Sequence, residues 1–312
     1  MPVQGAPCPR VRSGRSHRQR GSGSTLRALA RELLESDCRY FECGARVEQL
    51  AGAALAWMEG LEGHAAGCVV QRIDASAVSL EPDRWLETIE NHLVRRGASR
   101  ARLYLQQRIP GLEAALLGRG YRPREEVGFL RLTAVVPTAA GAVAASIHPV
   151  EGASGWSTKL ALHRQCPERP DGHESVAEEW VELEKRKTAA GYMQAFLIRV
   201  GGAVVGAVAA APQGELLRVK NLVVHPAYRG RGVARQAVGR LWALAADSGK
   251  RALGCFALAG EASETLYRRC GFQAVTRQTE WLKNLSHRPH LSAPRSVLHL
   301  GQGAAGSQRG LP

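Results

Sequence analysis

Val223–Ala234 reads Val-Val-His-Pro-Ala-Tyr-Arg-Gly-Arg-Gly-Val-Ala, and those residue types suit the capture of a bulky anion. A β-rich apolar run, Leu216–Val224, ends in a turn containing Pro226. A short Arg/Gly loop follows and opens into an amphipathic helical pattern over Val233–Ser248. Such a junction leaves several backbone N–H groups unpaired at a helix N-terminus, facing whatever sits above the loop. Gly230 and Gly232 let the backbone come close, since no Cβ intervenes. Arg229, Arg231 and Arg235 add positive charge. The chemistry implied is pyrophosphate binding; the competing reading is a surface turn in a chain rich in Arg and Gly.

Two familiar phosphate loops do not fit. The Walker pattern Gly-x-x-x-x-Gly-Lys-Ser/Thr is absent, and the dinucleotide fingerprint lacks its third glycine because Arg235 stands there. The residues instead satisfy Arg/Gln-x-x-Gly-x-Gly/Ala as Arg229, Gly232 and Ala234. This resembles the acyl-CoA pyrophosphate loop of the GNAT N-acetyltransferase superfamily. Further along, Leu266-Tyr267-Arg268-Arg269-Cys270-Gly271-Phe272 closes a helix and enters a strand. It is similar to a second GNAT signature, a helical tyrosine ahead of a Gly-Phe pair. The family often has Asn seven residues before that tyrosine, where this chain has Gly260. The resemblance covers about residues 146–283.

The elements around these motifs read as follows. Helical periodicity runs through Leu26–Leu34 and again from Val47 to Leu55. Gly67–Ile73 reads as a strand, Trp85–Val94 as a helix, Ala101–Gln106 as a strand and Leu112–Leu117 as a helix, before a strand around Val127–Leu132. Residues 135–145 read as a linker. Lys159–Gln165 and Glu174–Ala189 are expected helices, Tyr192–Val200 and Ala203–Ala211 a hairpin turning at Gly201-Gly202, and Glu215–Val224 its next strand. Ala252–Leu258, Phe272–Val275 and Gln278–Leu282 complete the sheet. Shifted by 151 residues, the first half falls on the second: Leu103–Leu105 on Gly254–Phe256, Ala115–Tyr121 on Leu266–Phe272.

The expected fold is therefore α/β (mixed α+β): a mostly antiparallel GNAT-like sheet flanked by helices, in a tandem of two such domains. The divisions are a basic tail at 1–25, a degenerate GNAT-like domain at 26–134, a linker at 135–145, a catalytic domain at 146–283 and a tail at 284–312. The first copy has no glycine across Ile73–Arg84 and carries Leu116 where the tyrosine would fall, so coenzyme A is not expected there.

Of the net charge of +14, eight positive charges lie in the two acid-free tails, which favours solvated tails over nucleic-acid recognition. The seven cysteines form no Cys-x-x-Cys pair and the histidines no metal cluster, so no metal is expected. No secretory signal or membrane-length apolar run is visible, and a cytoplasmic setting is expected.

The resemblance implies an N-acyltransferase moving an acetyl or other small acyl group from acetyl-CoA to a primary amine by direct attack in a ternary complex. It implies that Leu222, Val223, Val224, Arg229, Gly230, Arg231, Gly232, Val233 and Ala234 hold the donor, with the Val224 N–H facing the oxyanion. Tyr267 is the expected acid. A tyrosine hydroxyl near pKa 10 against a thiol near 8.5 makes full proton transfer uphill by ~2 kcal/mol, so a tightening hydrogen bond is the expected form of assistance. Glu215, at the start of the strand leading to the loop, is the candidate base, with Glu280 and His225 behind it. Cys166–His173 is an expected acceptor loop. A small-molecule amine is favoured over a protein lysine; the alternative is a catalytically inactive binding or scaffold protein. Oligomeric state is not readable.

Overall fold

In the computed structural model, residues 18–64, 66–78, 80–133, 144–166 and 177–285 are described. The first half runs through α1 (Arg18–Glu42), β1 (Arg46–Leu50), β2 (Ala53–Trp57), β3 (Cys68–Gln71), α2 (Ala75–Val78), α3 (Pro82–Arg95), β4 (Arg100–Leu105), α4 (Pro110–Gly118) and β5 (Arg122–Leu132). The second half follows with β6 (Ala145–Pro149), α5 (Gly152–Gln165), α6 (Ala177–Ala189), β7 (Gln194–Val200), β8 (Ala203–Gln213), β9 (Leu216–Val224), α7 (Val233–Asp247), β10 (Ala252–Leu258), α8 (Ala262–Arg269) and β11 (Gln273–Asn284).

All eleven strands form one mixed sheet, in the order β1-β2-β3-β4-β11-β5-β10-β9-β8-β7-β6. Apart from β6 at one edge, that order is symmetric about the central β11–β5 pair. Each half has lent its last strand to the other: β5 lies antiparallel to β10, and β11 antiparallel to β4. The parallel pairs β3–β4 and β9–β10 sit in equivalent places. The expected mixed, mostly antiparallel tandem is thus present, but its halves are joined through the middle of a single sheet. The boundary at 134–146 follows the chain and not the sheet.

Three expectations change. Val47–Leu55 is a hairpin, not a helix. Its two turn residues, Ala51 and Gly52, carry positive φ of 50° and 76°, the conformation that matches the twist of paired strands; apolar residues spaced three or four apart in this short stretch imitate a helical stripe. Phe272–Val275 and Gln278–Leu282 belong to one strand, β11, whose register shifts between Ala274 and Thr276. The first helix begins at Arg18, inside the expected tail, and Ala145 of the expected linker opens β6. The remainder of both tails, most of the linker and most of the Cys166–His173 loop lie outside the described residues.

Helix α1 lies across the centre of this sheet and fixes the site that follows. Its Leu29 and Leu33 pack with Leu130, Leu216 and Ala252 from both halves. The approach is close: a Cβ at Gly254 would come within 2.9 Å of a Leu33 methyl, and one at Gly128 within 2.5 Å of Thr276. Glycine at these positions lets the helix settle onto the strands. The larger apolar core of the second half lies under α7, with Val233, Ala237, Val238, Leu241 and Ala245 buried against Val219, Leu253 and Cys255.

The exchange makes the second half dependent on the first. A 144–312 fragment produced alone lacks β5 and leaves β10 with an open edge, so circular dichroism should show no cooperative thermal transition. A chain nicked between 133 and 144 should still elute as a single species. Cooperative melting of the isolated fragment would refute this interdependence.

Candidate active site

Strands β9 and β10 are paired only at Ala252–Leu216, Leu253–Leu217 and Gly254–Arg218. Beyond these positions they part. A bulge in β9, where the register with β8 shifts between Ala207 and Ala209, bends the strand away. Asn221 sits in the bulge with φ of 52°, a left-handed conformation that Asn tolerates better than most residues. Its amide donates to Glu184 Oε1 at 2.9 Å and to the Tyr40 hydroxyl at 3.2 Å. The gap opened is a cavity of about 210 Å³ lined by Glu126, Arg218, Lys220, Asn221, Leu222, Phe256, Ser263 and Tyr267, with Val219 at its base.

The backbone at the mouth of the gap is oriented by the sheet. Val224 stands opposite Gly206, and the His225 N–H donates to the Val205 carbonyl at 2.9 Å. That bond makes Val224–Gly206 a non-hydrogen-bonded pair, so the Val224 N–H points away from β8, toward the side β10 has vacated. The Val224 carbonyl accepts from Arg229 Nε at 2.9 Å, which ties the Arg/Gly loop to the strand end.

Between them the chain makes one 3₁₀ turn, Pro226–Tyr228, in which His225 Nδ1 accepts from the Ala227 N–H. His225 is thus a turn-forming residue. Gly230 and Gly232 have φ of 74° and 83°, strained for any other side chain. Gly232 is the N-cap of α7 and supplies no side-chain cap. The first intrahelical bond runs from Gln236 N to Gly232 O, so the N–H groups of Val233, Ala234 and Arg235 precede it and point out of the helix end. Arg231 lies over the Tyr228 ring, and both Arg231 and Arg235 are exposed.

Tyr267 enters from α8 on the opposite wall. Its ring stacks on Phe129 and meets Phe272 edge-on, so packing fixes its direction. Burial, with Cys255 and Cys270 beside it, pushes the hydroxyl well above the usual tyrosine range. Tyr267 therefore stays protonated. Gly260, in the position where the resembled family often has Asn, has φ of 76° and donates its N–H to Glu264 Oε2; the positive φ favours glycine there.

Leu222 and Tyr267 thus line one cavity, and β9 runs on from it through Val224 into the Arg229–Ala234 loop. Glu215 is not. It sits at the β8–β9 turn, half exposed and paired with Arg251 at 2.8 Å, at the end where β9 and β10 are still joined and roughly 20 Å along the strand from Leu222. Glu280 is buried and held by Arg102, Arg124 and Tyr104.

Beneath the cavity lies a buried charge network that sequence reading missed. Asp37 of α1 accepts from Arg218 at 2.6 Å, Lys220 at 3.1 Å and Gln278 at 2.6 Å. Burial disfavours its charge, but Lys220 and Arg218 outweigh that and hold the carboxyl well below the usual range. Gln278 also donates to Glu126 Oε2 at 2.7 Å. Burial, with Glu280 and Asp37 nearby, pushes Glu126 up to about 7. The signal available was Arg218 and Lys220 two residues apart in a largely apolar strand, which places both charges on one sheet face. Among the described residues no group of three or more His, Cys, Asp or Glu is arranged to hold a metal, and no helix is long and apolar enough to cross a membrane.

Residues 158–272 match the family model described as Acetyltransferase (GNAT) family. A search of the curated proteins finds no match. Among solved structures, a GCN5-related N-acetyltransferase from Kribbella flavida is similar at a TM-score of 0.57 and 14% identity, covering 85% of this chain and 96% of that one. One from Sphaerobacter thermophilus has the same TM-score at 15% identity, covering 75% and 77%. A tandem GNAT protein from the clavulanic acid biosynthesis pathway is similar at 0.50 and 11%, covering 85% and 94%. At these identities the likeness establishes the fold.

The network yields a stability test. Asp37→Asn leaves Arg218 and Lys220 buried without their carboxylate, and removing one partner of a buried pair costs roughly 3–5 kcal/mol. A large drop in melting temperature at pH 7 is expected. Because the folded pKa of Asp37 is depressed, its contribution is full above the unfolded value near 3.9 and is lost as pH falls through the folded one; the gap between wild type and variant should narrow in acid.

Proposed function

We propose that the chain, whose residues 158–272 match the GNAT acetyltransferase family model, is an N-acyltransferase moving an acetyl or other small acyl group from acyl-CoA to a primary amine in a ternary complex. The observation that carries this reading is the splayed β9–β10 cleft with an uncapped, glycine-led helix end at its mouth. The residues fit the donor. Gly230 to Arg235 offer outward N–H groups and no side-chain cap, and the three arginines supply countercharge for a diphosphate.

When bound, acyl-CoA supplies an activated thioester. The chain's residues do the rest. Arg229 and the N–H groups of Val233 and Ala234 fix the diphosphate. Leu222 and Val223 line the path of the pantetheine along the free edge of β9. The Val224 N–H is preoriented toward the gap, where a developing negative oxygen would be stabilised. Tyr267, kept protonated by its surroundings, donates a hydrogen bond to the departing sulfur and does not surrender its proton outright.

A cavity of about 210 Å³ between β9 and β10 supports a small amine over a lysine on a folded protein. The six described cysteines are free, and all but Cys43 are buried; this supports a reducing cytoplasm.

Two measurements test the reading. Calorimetry should detect CoA binding to the wild type and none to Gly232→Glu, which adds an acid and a side chain at a left-handed position. In a CoA-release screen over primary amines, Tyr267→Phe should lower kcat by about ten- to a thousandfold with CoA affinity near normal. An unchanged kcat removes Tyr267 from the chemistry; CoA binding that survives Gly232→Glu removes the phosphate loop.

A further inference from the structure

Glu126 is the acidic residue among those lining the cavity, and it shares that cavity with Tyr267. It belongs to β5, the strand lent by the first half, where it stands opposite Leu258 beyond the point at which β9 leaves β10. Its surroundings differ from those of its two acidic neighbours. Asp37 is matched by Arg218 and Lys220, and Glu280 by Arg102 and Arg124. Glu126 accepts instead from the neutral amide of Gln278 and keeps part of its surface accessible. A cationic ligand in the cavity would meet a carboxylate there.

From this placement we infer that Glu126 binds the ammonium group of the acceptor and takes its proton, so that the first half contributes a catalytic residue to the site of the second. The inference rests on the acyl-transfer reading. In the step, one N–H bond breaks and one O–H bond forms on the Glu126 carboxylate. The ammonium becomes a neutral amine with a free lone pair, and the carboxylate becomes a neutral acid; no electrons are gained or lost.

The setting suits this task. A base is most effective with its pKa near the working pH, and burial beside Glu280 and Asp37 brings Glu126 to about 7. The charged and titratable groups facing it are Asp37 from α1, Lys220 and Arg218 from β9, and Glu280 from β11. Arg102 and Tyr104 approach from β4, and Tyr267 from α8. The base must be ionised, so its contribution grows as pH rises through 7 and vanishes in acid.

Two readouts on the full chain test it. Carbon-13 NMR of protein labelled at the glutamate carboxyls, with Glu126 assigned by its loss in Glu126→Gln, should show a carboxyl titrating near 7. Ethylammonium chloride, against sodium chloride at equal ionic strength, should lower that value. With acetyl-CoA and the best amine of the screen, Glu126→Gln should lose about a hundredfold in kcat above neutrality, converge with the wild type below roughly pH 6, and keep its CoA affinity; Glu126→Asp should recover part of the rate. A Glu126 resonance titrating near the ordinary 4.3, or a Glu126→Gln rate equal to wild type at all pH values, overturns the assignment and leaves the donor site standing. Failure of the wild type to bind CoA overturns both.

Discussion

The rest of this molecule follows from two parallel strands that begin as neighbours and then separate. Past Arg218 and Gly254 the facing edges of β9 and β10 lose their ladder partners, and a buried backbone group left without one costs about 1–3 kcal/mol. Such a gap persists only if the strands are held apart and the freed groups can meet solvent or a ligand. The bulge at Asn221 turns β9 aside, and the amide of that residue is anchored on Glu184 and Tyr40. On the other side β5 closes the outer edge of β10 over its full length. One edge is thereby released and the other secured, and the released edge is the one carrying Leu222 to Val224.

The base of the wedge is polar, which is costly. Asp37, Arg218 and Lys220 are all withdrawn from bulk water, and desolvation offsets much of their mutual attraction. What the network does provide is a joint among four elements from both halves: α1 through Asp37, β9 through Arg218 and Lys220, β11 through Gln278 and β5 through Glu126. An apolar joint of equal volume could slide. A set of directed hydrogen bonds fixes the height of β9 against α1, and with it the angle at which β9 departs.

How far this was legible in the residues depends on range. The Gly201-Gly202 hairpin, the strand leading into Arg229–Gly232, the helix after it and the Tyr267 helix all declare themselves through local turn chemistry and periodicity, and they lie where expected. At the offset of 151 residues β4 and α4 fall on β10 and α8, and β4 and β10 occupy corresponding places beside the central pair. What failed was nonlocal or ambiguous. Ala-rich apolar spacing between Val47 and Leu55 fits a helix as well as a hairpin, and only pairing decides. Nothing local says that β5 leaves its own half for β10, because strand exchange is a choice among edges of similar chemistry. Glu215 was placed near the loop because it shares a strand with it, but a nine-residue strand has two ends. Glu126 was invisible for the same reason that the exchange was.

The two halves share a strand order but differ in charge and glycine at one junction. In the first half β3 and β4 pair only at Val70 and Leu103, a parallel contact shorter still than the three-residue one of β9 and β10. The helix following that junction, α3, has Glu81 at its N-cap and Asp83 in its first turn. Those carboxylates already answer the positive end of the helix and would repel a phosphate. In α7 the N-cap is Gly232, and the first turn carries no acid. The positive end of the helix is therefore free of acidic side chains in one half and flanked by them in the other. Whatever it binds, the first half is integral to the sheet, because α1 covers the wedge and β5 completes it.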